Sequence, residues 1–355
     1  MNAALADQLR RERRRRRLLA MGALLLLAAL ALASVCLGAR GIAPIDVLRM
    51  LCAPLLPAHW SAGVDPAQRA VLLELRLPRT VMALVAGAGL ALSGAAMQGI
   101  TRNPLVSPYT VGISPAAAFG ASLAILAGAG GSVLGAYFTV AAAFACAVAC
   151  AAMVLAFAAL RGVTATMLVL GGVGLTYLFG ALTASVQFIA SEQQLAAIVQ
   201  WSFGSLNGIT WHEVAIAGAV VLACAPVLLA HAWALNAFAA GGDETAAALG
   251  FAVRRVRAVV TVAAVMATAA IVSFTGVIGF VGLVAPHIAR LLAGGDHRRL
   301  LPFAAATGAS LVLAADMAGR LLFAPVIIPV GIVVAYIGVP LFLHLLLSSR
   351  NRGEL

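Results

Sequence analysis

The sequence predicts an all-α polytopic membrane protein with about ten transmembrane helices, and two observations carry that prediction. Of its 355 residues, 63% are hydrophobic and only 10% are charged, whereas soluble globular domains carry about 25% charged residues. The hydrophobic residues also form long runs without Asp, Glu or Arg, and about 20 such residues suffice for a spanning helix. These runs are residues 18–39, 80–101, 103–160, 162–191, 214–242, 258–289 and 321–349.

Two of these runs are long enough to contain more than one helix. A glycine-rich break near Gly128 and Gly130 divides residues 103–160 into two spans. The four residues that end at Gly276 are expected to form a hairpin within residues 258–289. Divided in this way, the seven runs give nine spans, and we predict about ten, in one membrane domain over residues 18–348 with no appended soluble domain.

The first run follows an arginine-rich segment, a pattern that resembles the start of a signal peptide. The small residues before Cys36 would also suit a cleavage site or a lipidated cysteine. The run has 22 residues, however, and signal-peptide cores have about 7–15. We therefore expect an uncleaved first span, with residues 1–17 and 349–355 as cytoplasmic tails.

The positive charge of the chain is carried by arginine alone. All 23 basic residues are arginine, and the net charge is +11. With the N-terminus in the cytoplasm and ten spans, most arginines fall in cytoplasmic segments, as the positive-inside rule requires. Membrane topology explains this charge better than nucleic-acid binding, so we expect a lipid bilayer and no nucleic acid as partner. The predicted location is a bacterial inner membrane, with both termini in the cytoplasm.

Two segments are expected at the outer surface of the membrane. Residues 40–79 contain several prolines around a short apolar stretch, which predicts a loop with short helices. Residues 192–213 contain two tryptophans, and tryptophan favours membrane interfaces.

A weak internal similarity relates residues 80–108 to residues 259–302. Each begins with a long span, continues through a glycine-rich turn and reaches a proline. Inverted repeats of transporters leave similarities of this kind. The identity between the two segments is too low for the sequence alone to establish a repeat.

The chain contains no lysine, which bears on whether it can hydrolyse ATP itself. A Walker A loop needs a lysine to reach the nucleotide phosphates, so any ATP hydrolysis must come from a partner. The motifs His-Glu-x-x-His and Gly-x-Ser-x-Gly are also absent from the sequence, and we do not expect an enzyme.

Cys146 and Cys150 lie one helical turn apart, but no histidine or acid nearby completes a metal site. We interpret them as apolar core residues and expect no metal.

Few ionisable side chains other than arginine fall inside the predicted membrane domain, and they define an alternative from another functional class. Ion-coupled carriers usually keep buried acids or histidines for the coupling ion, and the candidates here are Asp316, His231, His287 and His344. Asp316 stands one helical turn before Arg320, so the two can neutralise each other. The alternative is therefore a secondary carrier that works without an ATPase and depends on Asp316.

Residues 236–257 are predicted to be a cytoplasmic segment with a short amphipathic helix. Asp243 and Glu244 favour the first turn of a helix, and Gly250 suits the C′ position that ends one. Such a helix could dock into a groove of an ATPase subunit, although an ordinary surface loop fits the same residues. The residues assigned to this contact are Asp243, Glu244, Ala246, Ala247, Leu249 and Gly250.

Several motifs occur in order between residues 73 and 347 and decide among these alternatives. They are Arg76-Leu77-Pro78-Arg79, Ser93-Gly94-Ala95-Ala96-Met97-Gln98, Arg102-Asn103-Pro104-Leu105, the helix at 244–250, the run at 276–290, the run at 296–302, Asp316 with Arg320, and Pro329-Val330-Gly331-Ile332. In these motifs the chain resembles the FecCD-type permeases of ABC importers for ferric siderophores, haem and cobalamin.

The resemblance implies the type II permease fold of ABC importers, as a homodimer of ten-helix subunits with the translocation path on its two-fold axis. Two ABC ATPase subunits would bind ATP and Mg²⁺ on the cytoplasmic side, and a periplasmic substrate-binding protein would dock outside. In similar permeases, outer arginines pair with acidic residues of the binding protein, and the matching positions are Arg76, Arg79 and Arg320. Arginine forms bidentate pairs with carboxylates. The alternative is that these arginines anchor helix ends at lipid phosphates.

The resemblance also implies positions for the gate and the path. The cytoplasmic gate corresponds to Asn103, Leu105 and Thr166. Similar proteins often carry an acidic residue after the Asn-Pro-Leu turn, and this chain departs from that pattern with Val106. Met97 is expected to line a mostly apolar path that holds its cargo weakly, because a tight site would slow release.

The predicted function is uptake of a large iron chelate by alternating access, with haem as the first choice. Residues 97–99 followed by residues 102–105 are most similar to the haem branch of the family. A ferric siderophore or cobalamin is the alternative within the same family. The chain itself is expected to bind no cofactor.

Overall fold

Fourteen helices and no strand make up the described part of the chain, which comprises residues 3–38, 41–52, 65–129, 133–161, 164–322 and 324–350 of a computed structural model. The helices are α1 (Ala3–Cys36), α2 (Pro44–Cys52), α3 (Pro66–Ala70), α4 (Leu77–Thr101), α5 (Ile113–Ala124), α6 (Val133–Arg161), α7 (Ala165–Ile189), α8 (Glu192–Ser202), α9 (Trp211–Ala230), α10 (Ala232–Ala248), α11 (Val253–Thr275), α12 (Val281–Ala293), α13 (His297–Leu321) and α14 (Val330–Arg350). A π-helical segment, Val71–Arg76, joins α3 to α4, and a 3₁₀ turn, Pro108–Val111, precedes α5.

The number of apolar helices confirms the prediction of about ten spans. Seven helices in the described ranges are long and apolar enough to cross a membrane, and three shorter apolar helices accompany them: α5, α12 and the first part of α14. The predicted break at Gly276 is confirmed, because α11 ends at Thr275 and α12 begins at Val281. The residues expected to form an N-terminal tail are helical from Ala3 onward and continue into the first span.

The predicted outer segment and C-terminal tail lie partly outside the described residues. Residues 40–79 contain α2, α3 and the start of α4, as the proline pattern predicts, while residues 53–64 are not described. Residues 349 and 350 end α14, and residues 351–355 are not described.

Helix α4 forms the centre of the bundle and packs against α9, α11, α12 and α13. Glycines make this possible, because they allow two backbones to approach closely. A Cβ atom on Gly87 would lie 2.3 Å from the carbonyl oxygen of Gly308 in α13. A Cβ atom on Gly94 would lie 2.0 Å from the carbonyl oxygen of Gly282 in α12. Small residues thus let one helix be buried on nearly all sides.

The contacts between helices have the same twofold pattern as the weak internal similarity in the sequence. Helix α4 packs on α12 and α13, and α11 correspondingly packs on α5 and α6. Each long helix is followed by a short one, and the pairs α5–α6 and α12–α13 are also in contact. Two units, α4–α6 and α11–α13, therefore interlock through the same set of contacts, as expected for the inverted repeats of transporters.

The two ends of the bundle differ in their polar residues. One end, which we call the arginine-rich face, holds the basic start of α1, the turn after α4, the junction of α10 and α11, and the start of α13. The other end, the opposite face, holds the end of α1, the start of α4 and the end of α13. The residues predicted for docking and gating separate onto these two faces.

Candidate functional site

The short helix at the arginine-rich face begins and ends where the sequence predicts. Gly241 and Gly242 interrupt α10, and Gly242 has a φ of 80° and a ψ of −156°, a conformation that glycine tolerates. At the other end Gly250 has a φ of 86°. Its amide donates to the Ala247 oxygen at 2.9 Å, and the Phe251 amide donates to the Ala246 oxygen at 3.0 Å. These two bonds form a Schellman motif, so Gly250 is the C′ residue.

A buried arginine joins this short helix to the spanning helices. Arg257 in α11 is 2% exposed, and its Nη2 and Nη1 donate to the two carboxylate oxygens of Asp243 at 2.7 and 3.1 Å. The same guanidinium donates to the Ile100 oxygen in the last turn of α4, at 3.3 and 3.4 Å. It also lies over the Phe238 ring, 5.4 Å from the ring centre. One side chain therefore ties together α4, α10, α11 and the short helix.

The six residues predicted for the ATPase contact divide between an inner and an outer side. Ala246 is buried and Asp243 is occupied by Arg257. Glu244, Ala247 and Leu249 are exposed, and Leu249 is 63% exposed. The outer side thus offers an apolar surface beside one carboxylate.

Two of the three predicted gate residues, Asn103 and Thr166, line the same cavity at the arginine-rich face. Helix α4 ends at Thr101, and the next residue, Arg102, turns the chain with a φ of 51°. The side-chain oxygen of Asn103 accepts from the Leu105 amide at 2.9 Å. Asn103 and Thr166 line one cavity of about 230 Å³, and Leu105 is 46% exposed. Val106, where similar proteins often carry an acid, is 2% exposed and packs in the main core.

The three predicted docking arginines lie together at the opposite face, largely engaged within the chain. Arg79 makes bidentate bonds to Asp316, with its Nη2 2.7 Å from Oδ1, and also donates to Asn207. Arg320 Nε lies 3.0 Å from Asp316 Oδ2, which confirms the pair predicted from their spacing. Arg76 is buried and donates to the Val35 oxygen at 2.8 Å. We call these three arginines and Asp316 the outer arginine cluster.

Met97 does not lie where a path residue is expected. It is 0% exposed and packs in the main hydrophobic core between α4 and its neighbours. A residue that lines a path between two subunits must be exposed on the surface of one subunit. This burial argues against Met97 as a path residue.

A polar network at the arginine-rich face was not predicted from the sequence. The Asn236 side chain donates to Asp296 at 2.7 Å and accepts from the His297 amide at 2.8 Å. Arg298 pairs with Asp296 at 2.7 Å and lies over the Trp233 ring, 4.1 Å from its centre. The hydrogen bond from Arg298 holds the pKa of the Asp296 carboxyl well below its usual range. The motif at 296–302 thus anchors the start of α13 to α10.

The described residues offer no group of three His, Cys, Asp or Glu side chains that could hold a metal ion. Cys150 is buried, and its thiol lies 3.6 Å from the Val111 oxygen. This placement agrees with the interpretation of Cys150 as a core residue, whereas Cys146 is only partly buried.

Comparison with known proteins shows similarity over nearly the whole chain. A family model described as the FecCD transport family matches residues 25–348. The cobalamin import system permease of Halobacterium salinarum is 41% identical over 82% of this chain and 77% of that protein. The hemin transport system permease of Yersinia pestis is 35% identical over 82% of this chain and 88% of that protein. A solved ABC transporter of metal-chelate type, in an inward-facing conformation, superposes with a TM-score of 0.81 at 34% identity, covering 94% of this chain and 99% of that one.

Proposed function

Because the chain belongs to the FecCD transport family and is the permease subunit of an ABC importer, we propose that it carries a large iron chelate, with haem as the first choice, through a homodimer. The observation that carries the importer part of this proposal is the family match over residues 25–348, which reaches from the first span to the last. The choice of haem rests on the resemblance of residues 97–99 and 102–105 to the haem branch of the family. ABC importer permeases work with ATPase subunits and a substrate-binding protein, and the ATPase activity belongs to the partner. We assign ATP and Mg²⁺ to that partner and no cofactor to this chain.

The arginine-rich face is the proposed cytoplasmic face, in a bacterial inner membrane with both termini inside. Exposed arginines at the start of α1, at Arg254 and Arg255, and at Arg299 support this orientation. Arginines close to the ends of spans are enriched on the cytoplasmic side. The opposite face, with the outer arginine cluster, would then face the periplasm.

The short helix is the proposed contact with the ATPase partner. Its exposed Leu249 and Ala247 would enter a groove of the ATPase, and Glu244 would lie at the rim, in the manner of helix-in-groove recognition. Asp243 and Arg257 would pass the movement of the short helix on to α4 and α11. ATP binding by two ATPase subunits would in this way drive the permease between inward-open and outward-open states.

The outer arginine cluster is the proposed attraction site for the binding protein. Its three arginines and one carboxylate leave a net charge of +2. Because most guanidinium donors are used inside the chain, we assign the cluster to long-range attraction of acidic residues more than to direct ion pairs. Electrostatic complementarity of this kind raises association rates.

Helix α7 is the proposed wall of the path, in place of Met97. Thr166 lies in its first turn, at the gate cavity. Farther along, Leu170, Tyr177 and Phe188 are 62%, 77% and 91% exposed. A surface of this kind suits a second copy of the chain and an apolar cargo that is held weakly.

Enlarging the side chain at position 166 is expected to block transport at the gate. Thr166→Trp would place an indole ring in the cavity of about 230 Å³ that Thr166 shares with Asn103. We expect at least a tenfold loss of uptake by vesicles that contain permease, ATPase and binding protein, with ATP hydrolysis retained. The control is Thr166→Ala at the same site, which should transport normally. Normal uptake by the tryptophan variant would refute the gate assignment.

The identity of the cargo is tested by uptake into vesicles that contain permease and ATPase, with one binding protein at a time. We expect ATP-dependent accumulation of haem. Relatives of similar identity are named for cobalamin and for hemin, so identity does not distinguish these cargoes. Transport of a ferric hydroxamate but not of haem would replace haem by a siderophore, and transport of cobalamin alone would replace it by cobalamin.

The ion-coupled carrier finds less support in the structure. Its essential residue would be Asp316, which is 1% exposed and already bound by Arg79 and Arg320. A coupling ion would have to displace two guanidinium groups. Accumulation of cargo by vesicles that contain this chain alone, without an ATPase, would favour the carrier nevertheless.

A further inference from the structure

Two neighbouring cavities lie between α1 and the α12–α13 pair. Their volumes are about 320 Å³ and about 290 Å³. They share four lining residues and are therefore adjacent along α1, and we call the two together the α1 groove. The shared residues are Leu19, Ala23, Phe303 and Ala306.

The groove exists because α1 packs loosely on the bundle. Only 11% of its apolar stretch is buried, compared with 22–78% for the other long helices. Its main contact is α13, and small side chains such as Ala23 and Ala306 leave the space between the two helices unfilled. Leu24 and Leu25 beside the groove are 62% and 68% exposed, so the groove opens toward the surface that α1 presents to lipid.

The mouth of the groove is cationic. Arg16 on α1 and Arg299 on α13 are exposed and line the first cavity from its two sides. Arg298, which pairs with Asp296, also lines it. Within the described ranges, no acidic side chain lines either cavity.

The length of the groove matches one leaflet of a bilayer. From Arg16 at the mouth to Leu26 at the far end, α1 rises about 15 Å. Half of a hydrocarbon core of about 30 Å is also about 15 Å. An apolar slot of this length beneath two arginines fits an acyl chain beneath a phosphate.

We infer that the α1 groove binds one anionic phospholipid. Arg16 and Arg299 hold its phosphate, since guanidinium groups bind phosphate oxygens in bidentate fashion. An acyl chain lies along Leu19, Ala23 and Phe303 and fills the space between α1 and α13. The lipid attaches the first span to the rest of the bundle. This inference does not depend on the cargo or on the ATPase contact.

The test measures how much phosphatidylglycerol the purified full-length permease retains in a mild detergent, by native mass spectrometry. Phosphatidylcholine serves as the zwitterionic comparison. A basic residue near an anionic lipid contributes about fivefold in affinity. Arg16→Gln with Arg299→Gln should therefore weaken retention of phosphatidylglycerol about 30-fold. The matched control, Arg254→Gln with Arg255→Gln, removes the same charge from the same face but does not line the groove, and should change retention little.

A second variant tests the apolar part of the site without altering its charge. Ala306→Phe should fill the groove and lower retention of phosphatidylglycerol to the level of the arginine variant. Excess glycerol 3-phosphate should not displace the bound lipid, because it has no acyl chain. The inference would be overturned by equal losses in the two double arginine variants, or by retention of phosphatidylcholine equal to that of phosphatidylglycerol. Displacement of the lipid by glycerol 3-phosphate, or full retention by Ala306→Phe, would also overturn it.

Discussion

Replacing Asp316 with alanine is expected to lower the free energy of unfolding of the permease by about 3–5 kcal/mol, the cost of removing one partner from a buried ion pair. Asp316 is 1% exposed, and the Arg79 and Arg320 side chains that flank it are 14% and 11% exposed. In the part of the chain that the structure describes, neither arginine has another carboxylate at ion-pair distance. The variant would leave two guanidinium groups together, with little water to solvate them.

The loss should appear as a lower midpoint of thermal unfolding in detergent and as less folded protein in the membrane. Asp316→Asn keeps the shape and one acceptor oxygen, so its loss should be smaller. A matched control is Asp46→Ala in α2, which removes an aspartate paired with Arg49 at 3.1 Å, where the side chains are 32% and 44% exposed. Exposed pairs contribute about 1 kcal/mol or less. Equal midpoints for Asp316→Ala and Asp46→Ala would show that the cluster is not structural.

Local features of this fold could be predicted from the sequence because they depend on neighbouring residues. The hydrophobic runs indicated the approximate number of spans, because each helix must by itself be long and apolar enough to cross the hydrocarbon core of the bilayer. Gly250 indicated the end of the short helix, because glycine readily adopts a positive φ. The pair Asp316–Arg320 followed from helical spacing alone.

Features that depend on how helices pack could not be predicted in the same way. Arg79 reaches Asp316 across 237 positions of the chain, and only the contact of α4 with α13 brings them together. Arg257 was one of three arginines near the start of a span, with nothing local to distinguish the buried one from its exposed neighbours. Met97 was assigned to the path through a family motif, whereas packing places it in the core.

Replacing Arg257 with methionine is expected to uncouple ATP hydrolysis from transport. The guanidinium is the direct link from Asp243, at the start of the short helix, to the Ile100 oxygen at the end of α4. Without it, the short helix can move with the ATPase while α4 does not follow. Coupling free energies between sites are about 1–3 kcal/mol, which corresponds to about 5- to 150-fold, so we expect cargo moved per ATP to fall at least about fivefold. The measurement compares uptake and hydrolysis in vesicles with the complete importer.

The matched control is Arg255→Met, which removes an exposed arginine two positions away in the same helix and should leave the ratio of uptake to hydrolysis unchanged. The free energy of unfolding of each variant distinguishes uncoupling from misfolding. Arg257→Met leaves Asp243, whose side chain is 48% exposed, free to be hydrated, so the loss of stability should be modest. Asp243→Ala leaves the 2% exposed Arg257 without that partner, and unsatisfied buried charge is the costlier defect.

The two variants are therefore expected to differ in both stability and coupling of hydrolysis to transport. Asp243→Ala should be the less stable protein, whereas Arg257→Met should remain folded with its hydrolysis intact and its transport lost. If Arg257→Met instead transports as much cargo per ATP as the unaltered permease, movement must pass from the short helix to the spans by another route. The apolar contact of Ala246 with the core is one such route, because it joins the inner side of the short helix to the same bundle without any ionic group.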